Sequence, residues 1–180
     1  GLTPALNVAF KAGAITGLRS LGFVGVSVTV PFKVEVMRHL DAIDPVAARI
    51  GSVNTLVFQR QQDDSVRCTG HNTDWLGANQ ALGETLDPAG RTVLVLGAGG
   101  AARAVGFGLL EAGARVLLTN RTLAKGRQLA DQLGCPFIAP QDLGSVVADA
   151  LINTTSVGMA PHTEALPIDL HLLDRFPVVM

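Results

Sequence analysis

Gly97, Gly99 and Ala102 fit the spacing G-x-G-x-x-A, which suits the binding of a pyrophosphate. The first glycine allows a tight turn, the second lets backbone N–H groups approach the phosphates, and the small third residue lets a helix pack closely on a strand. Gly97, Ala98, Gly99, Gly100 and Ala101 are the candidate cradle, since a helix N-terminus there offers free donors and a positive dipole end. A glycine-rich turn between strand and helix is also favoured in parallel sheets that bind nothing, so the flanking residues have to decide. The apolar run Arg115-Val116-Leu117-Leu118-Thr119 follows at the spacing of a βαβ unit. At its end, where an NAD-binding protein carries an acid for the ribose 2′-hydroxyl, stand Asn120, Arg121 and Thr122. A guanidinium there suits a 2′-phosphate, and Lys125 lies one helical turn further on, so the cofactor expected is NADP.

Lys33 is a second candidate. Pro31 suits the first position of a helix carrying Val34, Val36, Met37 and Leu40, which puts Lys33 in its first turn. The dipole disfavours a cation there by a few tenths to about 1 kcal/mol. Taken alone, a lysine is more often a solvated surface residue, and Asp74 before Trp75 reads equally well as a plain helix N-cap.

The elements that must position these residues alternate. The spacing of Ala14, Ile15, Leu18 and Leu21 predicts a helix over 13–21, closed by Gly22. The run 24–30 places Val24, Val26, Val28 and Val30 on one face of a strand and Gly25, Ser27 and Thr29 on the other, a polar face expected to wall a site. Asp44-Pro45 caps a short helix that ends at Gly51. Two strands, 53–58 and 66–69, flank the polar turn 61–65, and a helix runs from Trp75 to about Leu86. Strands at 92–96, 115–119, 137–138 and 150–154 then alternate with helices at about 100–112, 123–133 and from Gln141, with a last strand in 176–180. That alternation predicts a mostly parallel, doubly wound sheet, hence an α/β fold.

Composition narrows the function. The chain has 180 residues, 48% of them hydrophobic, with 14 basic against 15 acidic side chains and a net charge of −1. It can bury a real core, and without a basic stripe it is not expected to bind nucleic acid. Two cysteines, Cys68 and Cys135, form no C-x-x-C, and Cys68-x-x-His71 finds no second pair to complete a metal site. His39, His71, His162 and His171 show neither triad nor metal spacing. No apolar run has membrane-spanning length and no signal-peptide pattern opens the sequence, so a soluble cytoplasmic protein is expected, with no membrane partner.

Taken in order, S-V-T-V-P-F-K (27–33), G-S-V-N-T (51–55), H-N-T-D (71–74), G-A-G-G-A-A (97–102), N-R-T (120–122) and N-T-T-S-V-G-M (153–159) resemble the shikimate dehydrogenase family. The resemblance implies an N-terminal α/β substrate domain at 1–74 and a Rossmann-type domain binding NADP at 75–180. It also implies reversible reduction of 3-dehydroshikimate to shikimate. By motif, Lys33 resembles the catalytic lysine and Asp74 its carboxylate partner. Thr3, Ser27, Thr29 and Asn54 resemble substrate-binding residues, and Thr155 and Ser156 join Gly97 to Ala101, Asn120, Arg121, Thr122 and Lys125 on the cofactor side. When hydride reaches a ketone carbon an alkoxide forms, and a positioned acid must protonate it. A helix N-terminus and partial burial make an ammonium readier to do so, while a carboxylate fixes its position.

The sequence also departs from the family pattern. Ser27 stands where asparagine is usual, and Lys125 where many members carry a second arginine. The opening S-x-S-P is reduced to Leu2-Thr3-Pro4, and the chain stops at Phe176-Pro177-Val178-Val179-Met180, before the C-terminal helix. Both domains are therefore expected to be incomplete against that pattern. A quinate/shikimate dehydrogenase using NAD or NADP and a non-catalytic regulatory module of the same fold are the alternatives. Retention of both Lys33 and Asp74 argues against the second, since binding alone needs no proton donor. The expected partner is the small-molecule substrate, with a homodimer as the candidate assembly.

Overall fold

In the computed structural model, which describes residues 13–161 and 163–180, the chain divides into two units, Gly1–Thr73 and Asp74–Met180. The first holds helix α1 (Ala14–Ser20), strand β1 (Gly25–Ser27), a 3₁₀ helix (Glu35–His39), β2 (Ala42–Ile43), α2 (Pro45–Ile50), β3 (Thr55–Arg60) and β4 (Val66–His71). Its sheet has the order β1-β3-β4-β2, antiparallel except where β2 joins β4. Ile15, Val28, Val36, Ala47, Val53, Leu56, Phe58 and Cys68 form its core. The predicted Asp-Pro cap is present. The Asp44 carboxylate accepts from the Val46 N–H at 2.9 Å and the Ala47 N–H at 3.3 Å, and Gly51 ends the helix in the left-handed conformation.

Two expectations are corrected in this unit. The strand expected over 24–30 is only Gly25–Ser27, and of its valines Val28 is buried while Val24 and Val30 are exposed. β1 lies at the sheet edge, and its ladder stops at the Ser27–Thr55 pair because the Thr29 carbonyl is drawn into a turn by the Phe32 N–H at 2.9 Å. The helix expected from Pro31 is instead a 3₁₀ helix that starts at Glu35. The Lys33 carbonyl accepts the Val53 N–H at 2.7 Å, which turns it away from the i+4 amide that an α-helix would need. Lys33 therefore lies just before the N-cap of a 3₁₀ helix and not in the first turn of an α-helix.

The second unit holds α3 (Asp74–Gly83), β5 (Thr92–Leu96), α4 (Gly100–Glu111), β6 (Arg115–Thr119), α5 (Leu123–Leu133), a 3₁₀ helix (Pro140–Ser145), β7 (Ala150–Asn153), α6 (Leu170–Leu173) and β8 (Val178–Val179). Its sheet is parallel with the order β6-β5-β7-β8. The strand expected at 137–138 reduces to one parallel bridge from Phe137 to Leu118, because Pro140 starts the 3₁₀ helix almost at once. The chain leaves β5 toward β6 on one side and returns to β7 on the other. In such sheets the crevice at this reversal, outside the carboxyl ends of the strands, is where ligands bind.

β5 is buried on both faces, as a central parallel strand requires. Val93 and Val95 pack with Val105, Leu109 and Leu129, while Leu94 and Leu96 pack with Leu143, Val146 and Phe176. Helix α3, which begins at Asp74, is anchored on α4 by the Asn79 amide, which donates to the Gly108 carbonyl at 2.8 Å. Edge-to-face packing of Trp75 on Phe107 adds to that contact.

A carboxylate pins the opposite end of the sheet. Asp149 accepts the Thr92 N–H at 2.8 Å and pairs with Arg91 at 3.4 Å. In the first unit Asp41 accepts the Cys68 N–H at 2.6 Å and pairs with Arg19. The Thr92 N–H and then Arg91 hold the Asp149 carboxyl below the ordinary carboxylate range, and the Cys68 N–H and then Arg19 do the same for Asp41. A depressed folded-state pKa contributes stability that is present above the unfolded value and is lost as pH falls through the folded value. The unfolding midpoint should therefore drop on acidification below about pH 4. Asp149→Asn keeps an acceptor for the Thr92 N–H but cannot titrate there, so its thermal midpoint, followed by circular dichroism, should fall less steeply with acid.

Candidate functional site

In the first unit the polar residues singled out by sequence converge on one loop. Ser27 stands opposite Thr55 at the end of β1, and the Val28 N–H, between Ser27 and Thr29, donates to the Asn54 carbonyl at 2.7 Å. The Lys33 carbonyl is held by Val53, so backbone hydrogen bonds gather Ser27, Thr29, Lys33 and Asn54 around residues 53–55. Ser27 and Thr29 are exposed, while Lys33 is half-buried. The Asn54 side chain accepts from the Thr73 N–H at 3.1 Å and from the Thr55 hydroxyl at 2.9 Å, and donates to the Thr73 hydroxyl at 3.0 Å. Asn54 thereby fixes the residue that leads directly into Asp74, itself half-buried at the start of α3.

Beneath this layer lies a buried amide. Asn72, 6% exposed, donates from Nδ2 to both the carbonyl and the hydroxyl of fully buried Ser52, each at 2.9 Å. This clamp joins the end of β4 to the loop that carries Val53 and Asn54. Ser52, Asn72 and Thr73 lie within the motifs 51–55 and 71–74, but the sequence alone gives none of them a role of its own. The signal that could have found them is the density of Ser, Thr and Asn at strand ends, where short polar side chains bond neighbouring backbone.

In the second unit, Gly97, Asn120, Arg121, Thr122, Thr155 and Ser156 line one cavity of about 570 Å³ at the carboxyl edge of the sheet. Pro140, Leu143, Leu166, Pro167 and Ile168 supply an apolar wall. Gly97 turns out of β5 with φ +121°, and a Cβ on it would lie 2.6 Å from the Thr154 hydroxyl. Gly99 is the N-cap of α4, carries no capping side chain, and has open space where a Cβ would project. A helix N-terminus behind a glycine turn is an arrangement whose N–H groups can take a phosphate. Arg121, Thr122 and Lys125 are exposed and Asn120 half-buried, with the Asn120 amide donating to the Thr122 carbonyl at 2.8 Å.

Residues 6–56 match the family model described as shikimate dehydrogenase substrate binding domain, and residues 78–162 that of shikimate / quinate 5-dehydrogenase. The solved shikimate dehydrogenase of Aquifex aeolicus is 31% identical with a TM-score of 0.76, over 92% of this chain and 69% of that one. This chain belongs to the shikimate dehydrogenase family. The shikimate dehydrogenase (NADP(+)) of Moorella thermoacetica is 45% identical over 170 residues, 87% of this chain and 56% of the relative. The Thermus thermophilus member, solved in complex with NADP(H) and shikimate, is 38% identical with a TM-score of 0.73, over 92% of this chain and 59% of that one. The chain thus spans a little over half the length of the curated relatives it matches.

The two matched segments fall in the two units, as does the division of polar residues. Thr3 lies outside the described residues. Thr155 lines the cavity but commits its hydroxyl within its own loop, donating to Asn153 Oδ1 at 2.7 Å and accepting from the Val157 N–H at 3.1 Å, whereas Ser156 is exposed. Among the described residues no group of three or more His, Cys, Asp or Glu could hold a metal ion, and no helix is long and apolar enough to cross a membrane. Burial pushes the Cys68 and Cys135 thiols up, so neither is an activated nucleophile.

The buried amide gives a test of how this polar cluster is held. Asn72→Ala would leave the Ser52 carbonyl and hydroxyl without that donor in a dry environment, at a cost of about 1–3 kcal/mol. Urea unfolding should show that loss, while Ser52→Ala, which keeps the carbonyl acceptor, should lose markedly less.

Proposed function

We propose that the full-length protein carrying this chain reversibly reduces 3-dehydroshikimate to shikimate with NADP. The observation that carries the reading is the pairing, in one chain, of a polar strand-end cluster around Lys33 with a glycine cradle followed by an acid-free Asn120-Arg121-Thr122. The relative solved with both NADP(H) and shikimate, 38% identical, supports it. The residues fit the cofactor. The glycine turn and open α4 N-terminus would hold the pyrophosphate, the apolar wall the adenine, and Arg121 with Lys125 the 2′-phosphate.

NADP, when bound, supplies or accepts the hydride. The protein's task is the proton. As the carbonyl carbon gains hydride, the π pair moves onto oxygen, and the Lys33 ammonium gives that oxygen a proton; the reverse reaction returns it to the neutral amine. Asp74 orients the ammonium and stabilises its charge. Ser27, Thr29 and Asn54, with Thr3, hydrogen-bond the substrate's hydroxyls and carboxylate. Two free cysteines suit the cytoplasm. Quinate is the competing substrate, favoured by the hydroxyl of Ser27 as a small polar wall; steady-state assays with shikimate and quinate, each with NADP and NAD, separate the two.

The roles assigned to Lys33, Asp74 and Arg121 are open to direct test. Lys33→Ala should lower kcat about a hundredfold or more, the scale of a lost general acid, with substrate KM changed far less. Asp74→Asn should also impair turnover while the protein stays folded, since asparagine keeps the shape and an acceptor oxygen in the first turn of α3. Wild-type turnover in either would end that residue's role. Arg121→Ala removes a charge-assisted contact of about 1.5–3 kcal/mol, so it should raise KM for NADP about ten- to a hundredfold and hardly alter use of NAD. Equal losses with both cofactors would mean that Arg121 holds the adenine or the fold.

A further inference from the structure

The loop that follows β7 is held closed by its own side chains. Asn153, in register with Leu96 at the last position of the β5–β7 ladder, accepts on Oδ1 from the Thr155 N–H at 3.0 Å and the Thr155 hydroxyl at 2.7 Å. Its Nδ2 donates across the turn to the Val157 carbonyl at 3.1 Å. The Val157 N–H in turn donates to the Thr155 hydroxyl at 3.1 Å. Thr154 points the other way. Its N–H at 3.0 Å and its hydroxyl at 2.6 Å both donate to the Leu96 carbonyl, the last of β5.

This network stands at the reversal of strand order between β5 and β7, where the crevice of a doubly wound sheet opens. The Thr154 hydroxyl sits 2.6 Å from where a Cβ on Gly97 would be, so it is the wall against which the glycine turn is packed. Thr155 and Ser156, carried by the same loop, line the cavity with Gly97 and Arg121. The polar capacity of Asn153, Thr154 and Thr155 is directed inward, which leaves Ser156 as the loop's exposed hydroxyl. A strand-end loop could close on water instead; closing it on four internal hydrogen bonds and tying it to β5 fixes the width of the crevice before any ligand arrives. Pre-set geometry is what cofactor affinity gains from, because no ordering then remains to be done on binding.

We propose that Asn153 and Thr154 are positioning residues for the cofactor: without touching it, they hold the 154–157 loop at the distance from the Gly97 turn that the dinucleotide requires. The inference rests on the reading of NADP as cofactor. Its consequence is a selective one. Loosening the loop weakens NADPH binding and leaves the substrate side of the reaction alone.

The test is fluorescence titration of NADPH into the full-length protein, alongside shikimate KM and circular dichroism. Asn153→Ala should weaken NADPH binding about tenfold, the scale of losing one or two hydrogen bonds, with shikimate KM unchanged. Thr154→Val, which keeps the shape and removes the donor, should weaken it severalfold, and Thr154→Ser, which restores the hydroxyl, should recover it. The threonine pair decides the matter if Asn153→Ala fails to fold. Wild-type NADPH affinity in Thr154→Val, a Thr154→Ser no better than Thr154→Val, or an equal rise in shikimate KM would each overturn the inference. If the wild type itself binds no NADPH, the functional reading falls and the inference with it. If the wild type binds, Arg121→Ala binds worse and the loop variants bind normally, the inference alone is lost.

Discussion

At Gly97 the backbone leaves the central strand with φ +121° and passes so close to Thr154 that a single added carbon would meet its hydroxyl at 2.6 Å. Both facts demand glycine, one from conformation and one from space. The second unit depends on this point. A residue with a side chain would force the turn outward, separate β5 from the loop after β7, and remove the helix N-terminus from the crevice floor. The alternating burial of β5, with Val93 and Val95 on one face and Leu94 and Leu96 on the other, keeps the strand that delivers Gly97 rigid. The core's contribution to function is thus to deliver one carbonyl and one glycine to a fixed place.

The first unit solves a different problem with different chemistry. Its sheet is mostly antiparallel and its site residues lie at strand ends and in turns, where the ladder no longer fixes the backbone. Side-chain amides take over that duty. Asn72 anchors Ser52 from below and Asn54 anchors Thr73 at the surface, while the Val53 N–H holds the Lys33 carbonyl between them. A buried amide with its partners satisfied costs little, whereas one stripped of its partners costs the full desolvation. The arrangement is therefore tolerant of surface change and intolerant of change at Asn72.

What was legible in the sequence was what local periodicity and turn chemistry encode. The β5–Gly97–α4–β6 unit, the Asp44-Pro45 cap, the hairpin around 61–65 and the glycine end of α2 all follow from local residue patterns. The failures in the first unit trace to committed carbonyls. Pro31 suits a helix start, and Val24 to Val30 alternate as a strand should, yet a carbonyl at Lys33 committed to Val53 and a carbonyl at Thr29 committed to Phe32 override both. Of these, the bond to Val53 joins residues twenty apart in sequence, and no pattern within a window of ten can register it. Ser52, Asn72, Asn153 and Thr154 stand inside the quoted motifs and are marked as polar by type, but only the fold shows what they hold: Asn72 reaches Ser52 and Thr154 reaches Leu96 across the sequence, whereas Asn153 braces its own loop. The motif order points to loops, and only the fold shows which side chains brace each of them.

The cofactor side also shows which cation should matter. Lys125 and Arg121 are both exposed, so their charges act through water. Two unit charges about 4 Å apart in water interact by about 1 kcal/mol, and physiological salt screens beyond about 8 Å. A solvated ammonium with so small a gain, and with side-chain entropy to lose, would contribute less than the guanidinium. A guanidinium that meets a phosphate with two parallel N–H groups gains geometry as well as charge. Its backbone is set by the end of β6 and by the Asn120 amide, which donates to the Thr122 carbonyl and so shapes the turn that carries Arg121. Under the proposed reading, selection for a 2′-phosphate would rest mainly on Arg121 together with the absence of any acid at 120–122. Lys125 adds a diffuse attraction that salt removes, so discrimination between the two cofactors should survive at an ionic strength where a purely coulombic preference would not.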